Sequence, residues 1–278
     1  MAEADELYPR LSRIVVVASE CPAATVSCLR GLQEKDARID LLVEGKRNGK
    51  ADAINKILGR IKSPLVLFVN SDARPQPGAL TKLLSSMGSD ERIGAVAAVP
   101  ELEAGSGLVS LLLDFMWSAH NNCSVVLNHM NVSNHSCDEM VLFRTNAVTL
   151  LPQGIVNDGA FLAATARLRG YSIKVSTGAR VKIKTPKRIA DVIIQRRRIL
   201  FGHAQVWRQV GTPPRTIESL LFLSPATGVR LLVTTLARRP RSILAVPTAL
   251  ACELAATLLS ILDTFSSSKA HAVWRRLK

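Results

Sequence analysis

Aromatic residues make up only 4% of this 278-residue chain, and no stretch interleaves them with basic side chains. That scarcity argues against an RNA or single-strand platform, which stacks bases on rings set between cations. The five cysteines, Cys21, Cys28, Cys123, Cys137 and Cys252, contain no C-x-x-C pair and are odd in number. They read as scattered, reduced, structural thiols in a cytosolic setting rather than as a disulfide framework or metal ligands. Histidine is as scarce, five in all, with no H-x-x-x-H or H-E-x-x-H spacing to suggest zinc. The first dozen residues are acidic and polar, so no signal peptide is read there. No internal repeat and no low-complexity linker interrupts the chain.

What is present is apolar and basic. A hydrophobic share of 47% is ample for one large core with an appendage. Lys and Arg number 36 against 22 Asp and Glu, a formal net charge of +14. A polyanionic neighbour is expected from that balance, and phospholipid or a nucleotide diphosphate fits this chain better than nucleic acid.

Along the chain, Arg13 to Ala18 is a β-branched run between turn formers and reads as a buried strand. Thr25 to Gln33 reads as a helix, Ile39 to Val43 as a strand, Gly49 to Ile61 as a helix and Pro64 to Val69 as a strongly apolar strand. Alternation of this kind predicts an α/β sheet of parallel type with helices on both faces. Ligands of such sheets bind beyond the carboxyl ends of the strands, and Asn70-Ser71-Asp72 directly follows one of them.

Four short motifs occur in order: Gly49-Lys50-Ala51-Asp52-Ala53-Ile54-Asn55, Asn70-Ser71-Asp72, Asn157-Asp158 and Gln195-Arg196-Arg197-Arg198. Together they resemble the family 2 glycosyltransferases of GT-A fold, the group of cellulose, chitin and hyaluronan synthases and dolichyl-phosphate sugar transferases. The resemblance spans about residues 10 to 200. There the motifs read G-K-x-x-A-[LI]-N, D-x-D, [ED]-D and Q-x-x-R-W. The chain departs from them at Asn70, Asn157 and Ile199, and it shows no opening strand ending in P-x-x-N-E. Glu6 to Pro9 looks like the end of the helix that would follow such a strand, so the first strand and helix are expected to be missing and a sheet edge to be exposed.

The resemblance implies transfer of a sugar from a nucleotide-diphosphate donor with inversion, assisted by Mg²⁺ or Mn²⁺. It places Asp72 as the metal ligand, with Arg47, Lys50, Asn55, Asn70 and Asp72 around the nucleotide, and Asp158 as general base. Gln195, Arg197 and Arg198 would steady the diphosphate or acceptor, with Arg198 facing the site and its neighbours facing solvent or lipid phosphate. Trp117, His120 and Asp138 would lie on the acceptor side. The missing motif Trp points to transfer of a single sugar. Plainer readings compete: Asp72 and Asn70 as caps of a following helix, Asn157 and Asp158 as an N-cap, Trp117 and His120 as core packing.

From Ser219 onward the composition turns apolar. Ile243 to Leu262 is long enough to cross a bilayer but contains Glu253 and Pro247. Arg238, Arg239 and Arg241 precede it and Lys269, Arg275, Arg276 and Lys278 follow it, so the positive-inside rule does not orient it. A spanning helix and one lying on an anionic leaflet both fit. The boundary is placed in Gly202 to Ile217, giving a GT-A domain over residues 1–205 and a membrane-associated helical region over 206–278. The expected acceptor is lipid-linked or a glycan, at the cytoplasmic face of the cell membrane. The alternative is a catalytically weak, membrane-bound scaffold of a polysaccharide-assembly complex, which nucleotide binding distinguishes.

Overall fold

The computed structural model describes residues 11–103, 105–266 and 271. Glu6 to Pro9 and the basic residues from Lys269 through Lys278 lie outside them. The chain opens with two parallel strands, β1 (Ile14–Ser19) and β2 (Ile39–Glu44), linked by α1 (Ala23–Lys35). Helix α2 (Lys50–Leu58) leads into β3 (Leu65–Val69) and the short β4 (Ala73–Pro75). Then follow α3 (Ala79–Gly88), β5 (Ile93–Leu102), α4 (Gly107–His129), β6 (Met140–Arg144), α5 (Asp158–Leu168) and β7 (Ser172–Ile183). Long α6 (Ile189–Val210) ends the α/β part, and α7 (Ile217–Leu223), α8 (Pro225–Arg238) and α9 (Val246–Ser266) complete the described chain.

The elements predicted between Arg13 and Val69 are all present, within two residues at most ends. The sheet itself is mixed. Its order is β3-β6-β5-β7-β4, with β5 and β7 parallel while β6 runs antiparallel to both β3 and β5. On β6 the pleat sends Val141 and Phe143 to one apolar cluster and Met140 and Leu142 to the other, the two-residue period of a strand buried on both faces. One cluster gathers α2 and α5 over the sheet; α5 is almost wholly buried, and its run of alanines lets it pack close. The other lies under α3, whose Leu83 and Met87 are fully buried. Burial of that kind contributes about 1.5 to 3 kcal/mol per large side chain.

Among the described residues, strand β1 pairs only with β2, and β3 pairs only with β6. Ser12 and Ser63 share a hydroxyl hydrogen bond at 2.8 Å, which holds the starts of β1 and β3 side by side.

Helix α6 stops where the sequence predicts a break. Gly211 caps it in the left-handed region, at φ 79°, and donates its N–H to the Trp207 carbonyl at 2.8 Å. Past it, Thr216 and Ser219 form a reciprocal capping box that starts α7.

Candidate active site

Antiparallel pairing of β3 with β6 sets the floor of the site. Val69 lies opposite Met140, so the next residues outward are Asn70 and Glu139. They bond twice: the Asn70 N–H donates to the Glu139 carbonyl at 3.0 Å, and the Asn70 side-chain amide donates to the Glu139 carboxylate at 2.9 Å. Burial first, then Asp138 and Asp72 nearby, push the Glu139 carboxyl up to about 7. Glu139 was not among the residues anticipated. The signal that finds it is the strand register, which needs the antiparallel partner of Asn70, and β6 is not adjacent to β3 in sequence.

A second set of charges meets beside the first. Gly49 takes φ 98°, a conformation a side chain rarely adopts, and so turns the chain into α2 with Lys50 as its first helical residue. The Lys50 ammonium sits 3.0 Å from the Asp138 carboxylate and 2.9 Å from that of Asp158. Burial lowers the lysine's proton affinity, but the two carboxylates outweigh it and hold it charged. The carboxylates diverge in turn. Asp138 is carried down to about 2, because Lys50 overcomes the opposing effect of burial. Asp158 is raised, since burial and its neighbour Asp138 together exceed the pull of Lys50. Two adjacent carboxyls are thus held at different proton affinities by the same ammonium and their unequal burial.

Local packing fixes these carboxylates. Asn157 caps α5, accepting from the Ala160 N–H at 3.2 Å, so the expected cap is Asn157 and the next residue, Asp158, is free of that task and turned into the site. Gly159 lies so close to Asp138 that an added Cβ would stand 2.5 Å from the Asp138 Cβ. The loop before α5 is held on three sides. Asn55 donates to the Leu151 carbonyl at 2.9 Å and accepts from its N–H at 2.8 Å; Gln205 accepts from the Val156 N–H at 2.9 Å; Arg198 donates to the Val156 carbonyl at 3.3 Å. Asn55 thus shapes the wall of the site, and its amide is engaged by the loop rather than presented to a nucleotide.

The arginine run divides. Arg198 stays on the site side, where Asp138 and Asp158 partly offset the burial that lowers it. Arg197 does not: its guanidinium forms a fork with Asp263 of α9. Arg196 is buried between Glu218 of α7 and Glu253 of α9. The expectation that Arg197 contacts diphosphate or acceptor, and that the outward arginines meet solvent or lipid phosphate, is corrected. Carboxylates of the C-terminal helices take both, because residues about 100° apart on one helix face different neighbours. Gln195 is half-buried one turn before Arg198 on α6.

Trp117 and His120, expected on the acceptor side, are half-buried beside other rings and apolar side chains. Trp117 packs in the apolar cluster that joins α4 to the C-terminal helices. His120 stands edge-on to it at 5.4 Å and continues through His135 at 5.9 Å to His203 at a further 5.2 Å. Burial first, and then the histidines' mutual repulsion, lower His120 to about 4 and His135 to about 3, so these rings are held neutral. Asp138 alone of the three belongs to the site. Arg47 stands on the loop before α2, 3.9 Å from Glu20.

Asp72 is exposed at the rim and has no ion-pair partner among the described residues. No three His, Cys, Asp or Glu side chains converge at metal distance among the described residues. The nearby donor set is nonetheless that of a hard divalent cation: oxygen ligands, two of them carboxylates, with further positions left to diphosphate oxygens and water.

The profile of a family described as "Glycosyltransferase like family 2" matches residues 1–202. No curated protein sequence matches the chain. Among solved structures, the mannosyltransferase PcManGT from Pyrobaculum calidifontis, in complex with GDP-Man and Mn²⁺, is similar with a TM-score of 0.61 at 19% identity. That match covers 91% of this chain and 77% of the other. GalNAc-T7 with UDP, GalNAc and Mn²⁺ is similar with a TM-score of 0.51 at 8% identity, over 72% of this chain and 42% of the other. At these identities the likeness is one of fold.

Proposed function

This chain belongs to glycosyltransferase family 2, and from that premise we propose that it moves a sugar, with inversion and metal assistance, from a nucleotide diphosphate to a lipid-linked or glycan acceptor at the cytoplasmic face of the cell membrane. The observation that carries the reading is the meeting of Lys50, Asp138, Asp158 and Arg198 beside Asn70, Asp72 and Glu139 at the carboxyl end of β3.

In the free enzyme Lys50 is shared by Asp138 and Asp158. A donor diphosphate entering beside α2 competes for that ammonium, with Arg198 as a second cation within the field of the same carboxylates. Lys50 drawn to phosphate leaves Asp158 with a raised proton affinity and no close counter-charge. It then accepts the proton of the acceptor hydroxyl as that oxygen attacks the anomeric carbon. Asp138, which stays ionised, keeps Lys50 within reach and fixes its position. Asp72 and Glu139 would hold Mg²⁺ or Mn²⁺. The cation's contribution is to neutralise the charge that develops on the departing diphosphate.

Calorimetric titration with UDP and with GDP, each with and without Mn²⁺ or Mg²⁺, tests the reading beside an Asp72→Ala control. Metal-dependent binding that the control loses is the expected result. A protein that binds neither nucleotide under any metal condition is the scaffold instead.

A further inference from the structure

Helix α9 is long and apolar enough to cross a membrane by length and composition. Its contacts decide otherwise. Ala249, Cys252, Ala256, Ser260 and Asp263 form a buried seam at spacings of three and four, and the helix's most extensive contact is with α6. Glu253 pairs with Arg196 and Asp263 with Arg197, two clamps about 15 Å apart along α9. A helix clamped in this way cannot enter hydrocarbon at full depth without taking the charged, partly polar α6 along with it. The opposite face is mainly apolar, with Thr257 exposed among its leucines: Leu250, Leu254, Leu258, Leu262 and Phe265 are each at least 56% exposed. Phe222 and Val233 extend that surface onto α7 and α8.

Charge names the partner. Within residues 206–266 the acids are Glu218, Glu253 and Asp263, and all three are ion-paired to Arg196 or Arg197, with Asp263 buried and Glu218 and Glu253 half-buried. Arg230, Arg238 and Arg241 are exposed around the apolar face. An outer surface of leucine and phenylalanine with exposed arginines, and with its acids paired to Arg196 and Arg197, matches an anionic leaflet in which acyl chains meet headgroups.

We propose that α7, α8 and α9 form a monotopic anchor that lies in the plane of an anionic bilayer surface, with α9 embedded along its leucine face and not spanning. The proposal rests on the membrane-side reading above only for its choice of lipid.

The test uses the full-length protein with its native cysteines replaced, carrying an environment-sensitive fluorophore in turn at Leu250→Cys, Leu254→Cys, Leu258→Cys and Leu262→Cys. Vesicles of phosphatidylcholine with phosphatidylglycerol contain brominated lipids that quench at defined depths. One shallow depth, about 5 to 10 Å into the boundary, is expected at all four positions. A depth that passes through the bilayer centre along the helix would overturn the proposal in favour of a span. No quenching together with self-association would overturn it in favour of a second copy on this face. In parallel, Arg230→Gln, Arg238→Gln and Arg241→Gln should each weaken binding to the anionic vesicles about fivefold, and a triple variant that binds like wild type would remove the lipid-charge basis. Nucleotide titration of the same variants should be unchanged, so loss of the anchor and loss of the transferase reading give different results.

Discussion

On the site side of α6, Lys50 and Arg198 face Asp138, Asp158 and Glu139, and the resulting field is unbalanced: one carboxyl is carried far down, another is raised and a third reaches about 7. On its far side, Arg196 bridges Glu218 and Glu253 and Arg197 holds Asp263, so each carboxylate there has a guanidinium partner, and Arg196 carries Glu218 down to about 2 against the opposing effect of desolvation. The same helix therefore borders a region where Glu139 has no cation partner among the described residues and the carboxyls differ in proton affinity, and one where every carboxylate is held by a guanidinium. Unequal affinity suits a site that must accept a phosphate and a proton. Pairing suits a scaffold, since a buried pair contributes little net stability but fixes which helices touch.

The comparison breaks most visibly at Asp158. Asp158→Asn keeps the shape and removes the proton acceptor, so kcat should fall about 10² to 10⁴-fold while calorimetric donor affinity stays within a few fold. Transfer from a labelled nucleotide sugar measures the first quantity. A variant that turns over at the wild-type rate would end the assignment of Asp158 as base.

Next in size is the far side of the helix. Arg196→Met leaves Glu218 and Glu253 without their cation, and since their side chains are 40% and 30% exposed and water screens them in part, the loss should be about 1 to 3 kcal/mol. Chemical denaturation should show that loss. Adding Glu218→Gln and Glu253→Gln should restore much of it, because the stranded charges are then gone. A single variant as stable as the parent would show that the pairs are not closed in solution.

Much of this was legible in the sequence. The β-branched runs and apolar spacing up to Val69 read directly as strands and helices, since local pattern suffices there. Lys50, Asp158 and Arg198 were found by motif, and the structure brings them together. Glu139 was not found, because its place depends on the long-range pairing of β3 with β6. Arg197 was misplaced for a related reason: its partner Asp263 lies 66 residues away on a helix whose docking no local pattern specifies. Trp117 and His120 were placed on the acceptor side from the layout that the resemblance implies; Trp117 packs with residues of α8 and α9, and His120 lies against Trp117 and His135, contacts that depend on long-range docking.

The histidine row between the two regions sharpens the comparison through pH. His203 is lowered to about 4, chiefly by burial, as His120 is, and His135 falls to about 3. An unfolded histidine titrates near 6.5. Above that value neither state binds the proton; below it the unfolded chain does and the folded chain does not. The stability is therefore fully present above about pH 6.5 and is lost as pH falls toward 4. Each ring contributes about 1.4 kcal/mol per pH unit within that window. Melting temperature followed from pH 7.5 to 5 should drop steeply, and a flat profile would mean that the rings are wet.

The smallest effect separates the regions with one methyl group each. In Gly159→Ala the new Cβ stands 2.5 Å from the Asp138 Cβ, and in Gly228→Ala it stands 2.8 Å from a Leu221 side-chain carbon. Overpacking of this kind costs about 1 to 3 kcal/mol in either place. The consequences differ because the displaced neighbours differ. Asp138 holds Lys50, so Gly159→Ala should also reduce kcat about tenfold, roughly 1.4 kcal/mol in the barrier. Leu221 holds α7 against α8, so Gly228→Ala should lower stability and leave turnover per folded molecule unchanged. Equal loss of turnover in both would mean that the anchor helices reach into the chemistry, and the division drawn across α6 would have to be given up.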